Sequence, residues 1–108
     1  IAWSMSARSH KDSSEPWPST KLTAPSVGSE QNCVLLTTGA MNPPHSGHVT
    51  MLHMAAERLQ REGYNVQGAF LSPSHDTYVQ PKARSLQTIG LSASFRLEAA
   101  RRLVQQDP

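Results

Sequence analysis

A six-residue apolar run decides more about the fold of this chain than any other stretch. Cys33-Val34-Leu35-Leu36-Thr37-Thr38 shows no polar alternation and ends on Gly39. A strand with one face in water alternates apolar and polar residues, so an unbroken run predicts a strand covered on both faces, as in a parallel sheet. A tight segment with Asn42, Pro43 and Pro44 follows, then Ser46-Gly47 and an amphipathic helix from about His48 to Glu62, closed by Gly63. At about 100° per residue Val49, Leu52, Ala55, Ala56 and Leu59 share one face of that helix, and Thr50, Glu57 and Arg61 lie opposite. His48 falls in the apolar sector. Val66 to Leu71 then reads as a second strand. The order strand, loop, helix, strand is a βαβ unit, so the fold class is α/β, the N-terminal βαβ portion of an incomplete, Rossmann-like parallel sheet.

The flanks carry less pattern. Residues 1–30 are rich in Ser and Pro with scattered apolar residues, Trp3 and Trp17 among them, and are expected to form a disordered tail before a single unit over 31–108. Residues 72 to about 91 form a polar stretch too long for a plain connector, either functional or disordered. A last helix is predicted from Ser92 or Ala93 to Gln106, with Ala93, Leu97, Ala100, Leu103 and Val104 inward and Arg96 at the edge of that face. With 108 residues there is room for one small core and no second domain. The chain begins at Ile1 rather than Met and stops just after a helical pattern, which suggests a fragment.

Composition excludes several classes of function. No apolar stretch approaches the roughly 20 residues that cross a bilayer, and no basic-then-apolar leader opens the chain. The net charge of +2 is too small for a protein that coats nucleic acid or a membrane surface. The single cysteine, Cys33, cannot close an intramolecular disulfide and reads as a small core residue of an intracellular protein, cytoplasmic or nuclear. Charge is uneven along the chain: Lys82, Arg84, Arg96, Arg101 and Arg102 stand against Glu98 alone, a local balance of +4. This group either attracts an anionic ligand or is a solvated face.

The chemistry concentrates between residues 39 and 48. In an open parallel sheet ligands bind at the carboxyl ends of the strands, and this segment lies at such an end. Gly39 allows the backbone to turn close to a phosphate, and the free N–H groups of the following helix offer partial positive charge. His45 and His48 flank Ser46-Gly47 at the start of that helix, where both imidazoles can address one anion. A lone histidine on an apolar helix face is usually a core residue bonded to a carbonyl, and that reading of His48 stands beside the functional one. A zinc site using His45, His48 and His53 is disfavoured, because five residues of helix turn His53 about 140° away from His48 and no cysteine or carboxylate has a matching spacing.

Gly39-Ala-Met-Asn-Pro-Pro-His-Ser-Gly-His48 resembles the G-x-F-x-P-x-H-x-G-H signature of nucleotidyltransferases, with Met41 in place of the usual aromatic. The segment from Ser72-Pro73 through Asp76 and Tyr78 to Lys82 resembles that of eukaryotic nicotinamide-mononucleotide adenylyltransferases, although Val79, Gln80 and Pro81 stand where that family has lysines after the tyrosine. Phe95-Arg96 resembles its His-Arg segment. The resemblance covers about residues 33 to 106 and implies a nucleotidyltransferase fold. It further implies catalytic roles for His45 and His48, ATP contacts from Gly39, Ala40, Met41, His45, Gly47 and His48, and acceptor contacts from Asn42, Ser72, Tyr78, Lys82 and Arg96. ATP with Mg²⁺ and nicotinamide mononucleotide are the implied substrates, and no metal bound by the protein itself is implied. Cytidylyltransferases, pantetheine-phosphate adenylyltransferases and a non-catalytic nucleotide-binding fragment share the signature and remain alternatives. The basic I-S-S-T-x-x-R motif of the family has no counterpart in these residues.

Overall fold

A computed structural model describes residues 3–5, 21–28 and 30–107 of the chain. The elements in chain order are β1 (Trp3–Met5), β2 (Gln31–Gly39), α1 (Ser46–Arg61), β3 (Tyr64–Pro73), α2 (Asp76–Ser85) and α3 (Ala93–Gln105). β3 is central, with β2 on one side and β1 on the other, and both pairings are parallel. The predicted βαβ unit is thus present as β2-α1-β3, and the architecture is an α/β, partial Rossmann-like fold.

α1 and α3 supply the layer that covers this sheet. Val49 and Leu52 of α1, Ala69 and Leu71 of β3, and Ala100 and Val104 of α3 form one buried cluster with Met41, and Leu35 and Leu103 pack against it. In register, Leu35 lies beside Ala69 and Thr37 beside Leu71, so one face of β2 meets this core. The other face does not. Val34 is 45% exposed and Leu36 50%, so the expectation of a strand covered on both faces is corrected: accessibility alternates along β2 although its chemistry does not. The apolar run reports what the strand can bury, and among the described residues one layer of helices, α1 and α3, lies over it. Cys33 follows the same rule and is half-buried rather than a core residue.

Two further stretches differ from their sequence reading. The polar segment after β3 contains the ten-residue helix α2, which packs inward through Val79 and Ala83. Pro81 sits inside that helix and removes one intrahelical donor, which hides the helix from a reading by propensity. Three residues of the stretch read as a disordered tail form β1, whose backbone pairs with Ala69 to Leu71 of β3. Later in that stretch Thr23 bonds to Gln67, donating from N and Oγ1 to its carbonyl and accepting from its Nε2. Residues 6–20 of the stretch, Trp17 included, lie outside the described residues. Among the described residues no helix is long and apolar enough to cross a membrane.

Candidate active site

The carboxyl ends of β2 and β3 lie side by side, Gly39 in register with Pro73 and Thr38 with Ser72. The chain leaving β3 is tied to the end of β2 by the Ser74 N–H, which donates to the Gly39 carbonyl at 2.8 Å. Each strand then leads into a helix capped by a histidine: His45 caps α1 and His75 caps α2, each through Nδ1, which accepts the N–H two residues on at 3.1 Å.

The cap of α1 is double. His45 Nδ1 accepts from Gly47 N–H, and His48 Nδ1 accepts from His45 N–H at 3.0 Å, so the two imidazoles fill the places that a Ser and a Glu take in an ordinary capping box. The rings lie with centroids 4.1 Å apart, tilted by 39°. An Nδ1 that accepts an N–H carries no proton, so the proton of each neutral ring is on Nε2. The caps therefore fix the tautomer, and each ring retains an Nε2–H donor at the start of a helix whose free N–H groups already favour an anion. Burial, and next the neighbouring His45 ring, hold the His48 imidazole below its ordinary range. Neutral donors at a helix terminus bind phosphate through hydrogen bonds rather than net charge.

The glycines act differently from the sequence argument. Gly39 is extended, and a Cβ there would meet no atom within 4 Å, so the turn does not depend on it. The left-handed residue of this loop is Met41, at φ 48°, which is 4% exposed and part of the core. Gly47 matters to His45 instead: a Cβ at Gly47 would lie 2.8 Å from His45 Cε1 and 2.9 Å from Nδ1. Its missing side chain makes room for the capping ring.

Of the residues expected at the acceptor side, only some share a surface. Asn42 and Lys82 line a cavity of about 210 Å³ with Ala40, Val79, Ala83, Leu86 and Thr88. Lys82 Nζ stands 5.6 Å from the Tyr78 ring centroid, one helical turn away on α2, and Tyr78 is 58% exposed. Ser72 is in β3 beside Thr38. Asn42 is occupied by the protein: Nδ2 donates to the Ile89 carbonyl at 2.7 Å, and Oδ1 accepts from Leu91 N–H at 2.8 Å. Arg96 is fully buried and bonded on three sides, so it is the centre of the inward face of α3 rather than its edge. The basic cluster is divided, since Arg101 and Arg102 pair with Glu98, and Arg96 with Asp76. Only Lys82 of that group lines the cavity.

Two contributors were not singled out in sequence, His75, which could have been suspected from its place before Asp76, and Gln80. The contacts of Gln80 with Gly90 and of Asp76, part of the matched segment, with Arg96 span 10 and 20 positions, beyond any local pattern. His53 is turned away from the histidine pair and bonds Asp107 at 2.8 Å. Among the described residues no group of three His, Cys, Asp or Glu side chains could hold a metal ion.

No family model and no solved structure matches the chain. Curated proteins do. Over 84 residues the chain is 38% identical to a nicotinamide/nicotinic acid mononucleotide adenylyltransferase of Arabidopsis thaliana, a span of 77% of this chain and 32% of that protein. It is 38% identical over 85 residues to the protein of the same name in Oryza sativa subsp. japonica, 76% of this chain and 31% of that one. Over 49 residues it is 41% identical to nicotinamide/nicotinic acid mononucleotide adenylyltransferase 2 of Danio rerio, 44% of this chain and 16% of that one. The chain spans about a third of the length of the first two relatives.

Proposed function

From homology to nicotinamide/nicotinic acid mononucleotide adenylyltransferases over part of their length, we propose that this chain is the front part of an enzyme that transfers AMP from ATP to nicotinamide mononucleotide. Residues 31–108 form the first portion of its nucleotidyltransferase domain, acting inside the cell, in the cytoplasm or nucleus. A phosphate oxygen of the acceptor attacks the α-phosphorus of ATP. The bond from that phosphorus to the bridging oxygen breaks, and pyrophosphate leaves with the electron pair, giving NAD. No covalent enzyme intermediate is required.

The observation that carries this reading is the histidine double cap: two Nε2–H donors of fixed tautomer at the start of α1, beside the carboxyl ends of two parallel strands. In this reading His45 and His48 hydrogen-bond the phosphates of ATP, most strongly as charge moves onto the departing pyrophosphate, and the backbone around Gly39, Ala40, Met41 and Gly47 lines the same anion. Transfer of this kind is mostly positioning and electrostatic stabilisation. The cavity beside Lys82 takes the acceptor, with the ammonium near its phosphate and Tyr78 at the rim. Asn42 and Arg96 shape that cavity, and Ser72 belongs to the strand end beneath it. Mg²⁺ enters with the triphosphate, whose oxygens suit a hard cation that keeps several waters, and it neutralises phosphate charge there. The described residues offer it no cage of their own.

The test is acceptor choice. Full-length protein with ATP and Mg²⁺ is expected to release pyrophosphate with nicotinamide mononucleotide far faster than with phosphocholine, phosphoethanolamine or phosphopantetheine. A preference for any of the last three would move the protein to another branch with the same signature. Nicotinic acid mononucleotide is run in parallel, because the relatives are named for both acceptors.

A further inference from the structure

Side chains from three elements converge on the short stretch between α2 and α3. Asn42, in the loop after β2, holds Ile89 and Leu91. Gln80 of α2 donates from Nε2 to the Gly90 carbonyl at 3.1 Å and the Leu91 carbonyl at 3.2 Å. Arg96 of α3 donates from Nε to the same Leu91 carbonyl at 2.9 Å. Gly90 is the residue that permits this, since a Cβ there would run into the Gln80 amide.

Arg96 goes further than the others. Its Nη1 reaches the Ala40 carbonyl at 2.8 Å, and its Nη2 reaches Asp76 Oδ1 at 3.0 Å. The side chain is 0% exposed, so no bulk water surrounds it. A guanidinium stays charged in any protein, and burying one is tolerable only while its donors are matched. Its planar fork gives those donors fixed directions. The three acceptors are consequently held at a set separation, Ala40 at one end and the first turn of α2 at the other. Asp76 is held at the far end as well: its Oδ1 accepts from Gln80 Nε2 at 3.4 Å, and the Ala93 backbone and the Arg96 guanidinium hold its carboxyl below the usual carboxylate range.

The two ends of this spacer lie on the two walls of the cavity, and one of them continues to the histidine cap. Ala40, on one wall, leads through the motif loop to the His45–His48 cap, and Asp76 begins the helix whose Val79, Lys82 and Ala83 form the other wall. We propose that Arg96, with Asp76, is a positioning pair that sets the distance between the phosphate-binding cap and the acceptor cavity, and thereby the alignment of the two reacting phosphates, without touching either substrate. This rests on the two-substrate reading above. Each substrate needs one side of the spacer, whereas the reaction needs both, and a displacement of about 1 Å in a reacting pair costs on the order of a hundredfold in rate.

The experiment uses full-length protein and steady-state assays of pyrophosphate release. Arg96→Lys keeps the charge but replaces the fork by a single ammonium that cannot meet three acceptors at once. It is expected to lower kcat by about ten- to a hundredfold, with KM for ATP and for the mononucleotide each within about threefold of wild type. Asp76→Asn keeps the shape and loosens only the far end, so it should shift kcat in the same direction and by less. If Arg96→Lys does not fold, Asp76→Asn alone decides. A rise in either KM at unchanged kcat would make Arg96 a direct substrate ligand and overturn the proposal, as would variants indistinguishable from an active wild type. A wild type with no turnover on any acceptor would instead remove the two-substrate reading, and the proposal with it.

Discussion

His48 does two things with two nitrogens. Its Nδ1 completes the cap of α1, and on the proposed reading its Nε2–H donates to the triphosphate. Removing the ring removes a donor aimed at charge that develops during transfer, so His48→Ala in the full-length protein is expected to lower kcat on the order of a hundredfold, the size seen for one preorganised donor. KM for ATP should move much less, because the ground state carries less of that charge. Unchanged turnover would return His48 to the role of a half-buried capping residue. The pair was legible in sequence because His45, Gly47 and His48 are near neighbours along the chain. The purpose of Gly47 was not, since it depends on where the His45 ring lies. Nor was the burial of Arg96, whose acceptors on Ala40 and Asp76 are distant in sequence.

At the scale of the helix, a cap made of imidazoles is sensitive to acid. Protonating His48 turns Nδ1 from acceptor to donor and breaks its bond to the His45 N–H. The folded chain resists this, since burial and then the adjacent His45 ring lower the His48 pKa from its ordinary value. The unfolded chain takes up the proton near pH 6.5, as a free imidazole does. Below that pH the unfolded state binds more protons than the folded one, so the contribution of His48 is full above about 6.5 and is lost as pH falls through the folded value. Urea midpoints of full-length wild type and His48→Gln, compared from pH 8 to pH 5, should diverge. Gln at this position still completes a capping box and does not titrate, so wild type should lose stability relative to it on the acid side. Parallel curves would show that the imidazole cap is not titrating in this range. Helices α1 and α3 were legible because their apolar faces follow the helical period. α2 was not, because Val79 and Ala83 are its only buried residues and Pro81 interrupts it.

For the molecule as a whole, the decisive feature is the face of the sheet that α1 and α3 do not cover. Val34 and Leu36 are about half exposed on it. Beyond them, among the described residues, β2 has a free edge, because the strand order is β1-β3-β2 and β3 occupies one side of it. An apolar strand with an open edge is a template for pairing with another chain. On the proposed reading the phosphate site is one-sided in the same sense: the cap of α1 meets the anion from the end of the sheet, and Arg96, Arg101 and Arg102 are engaged with Asp76 and Glu98. The apolar run in β2 made the need for a second covering layer legible, but not whether these residues contain it. We therefore expect the 108 residues by themselves to lack a cooperative urea transition, to associate as concentration rises, and to release no pyrophosphate from ATP with Mg²⁺ and nicotinamide mononucleotide. Urea melts read by circular dichroism, sedimentation at several concentrations and the coupled pyrophosphate assay test the three parts. A cooperative transition from a monomer, accompanied by turnover, would mean that one helical layer and the histidine cap suffice, and that the exposed face of β2 needs no cover.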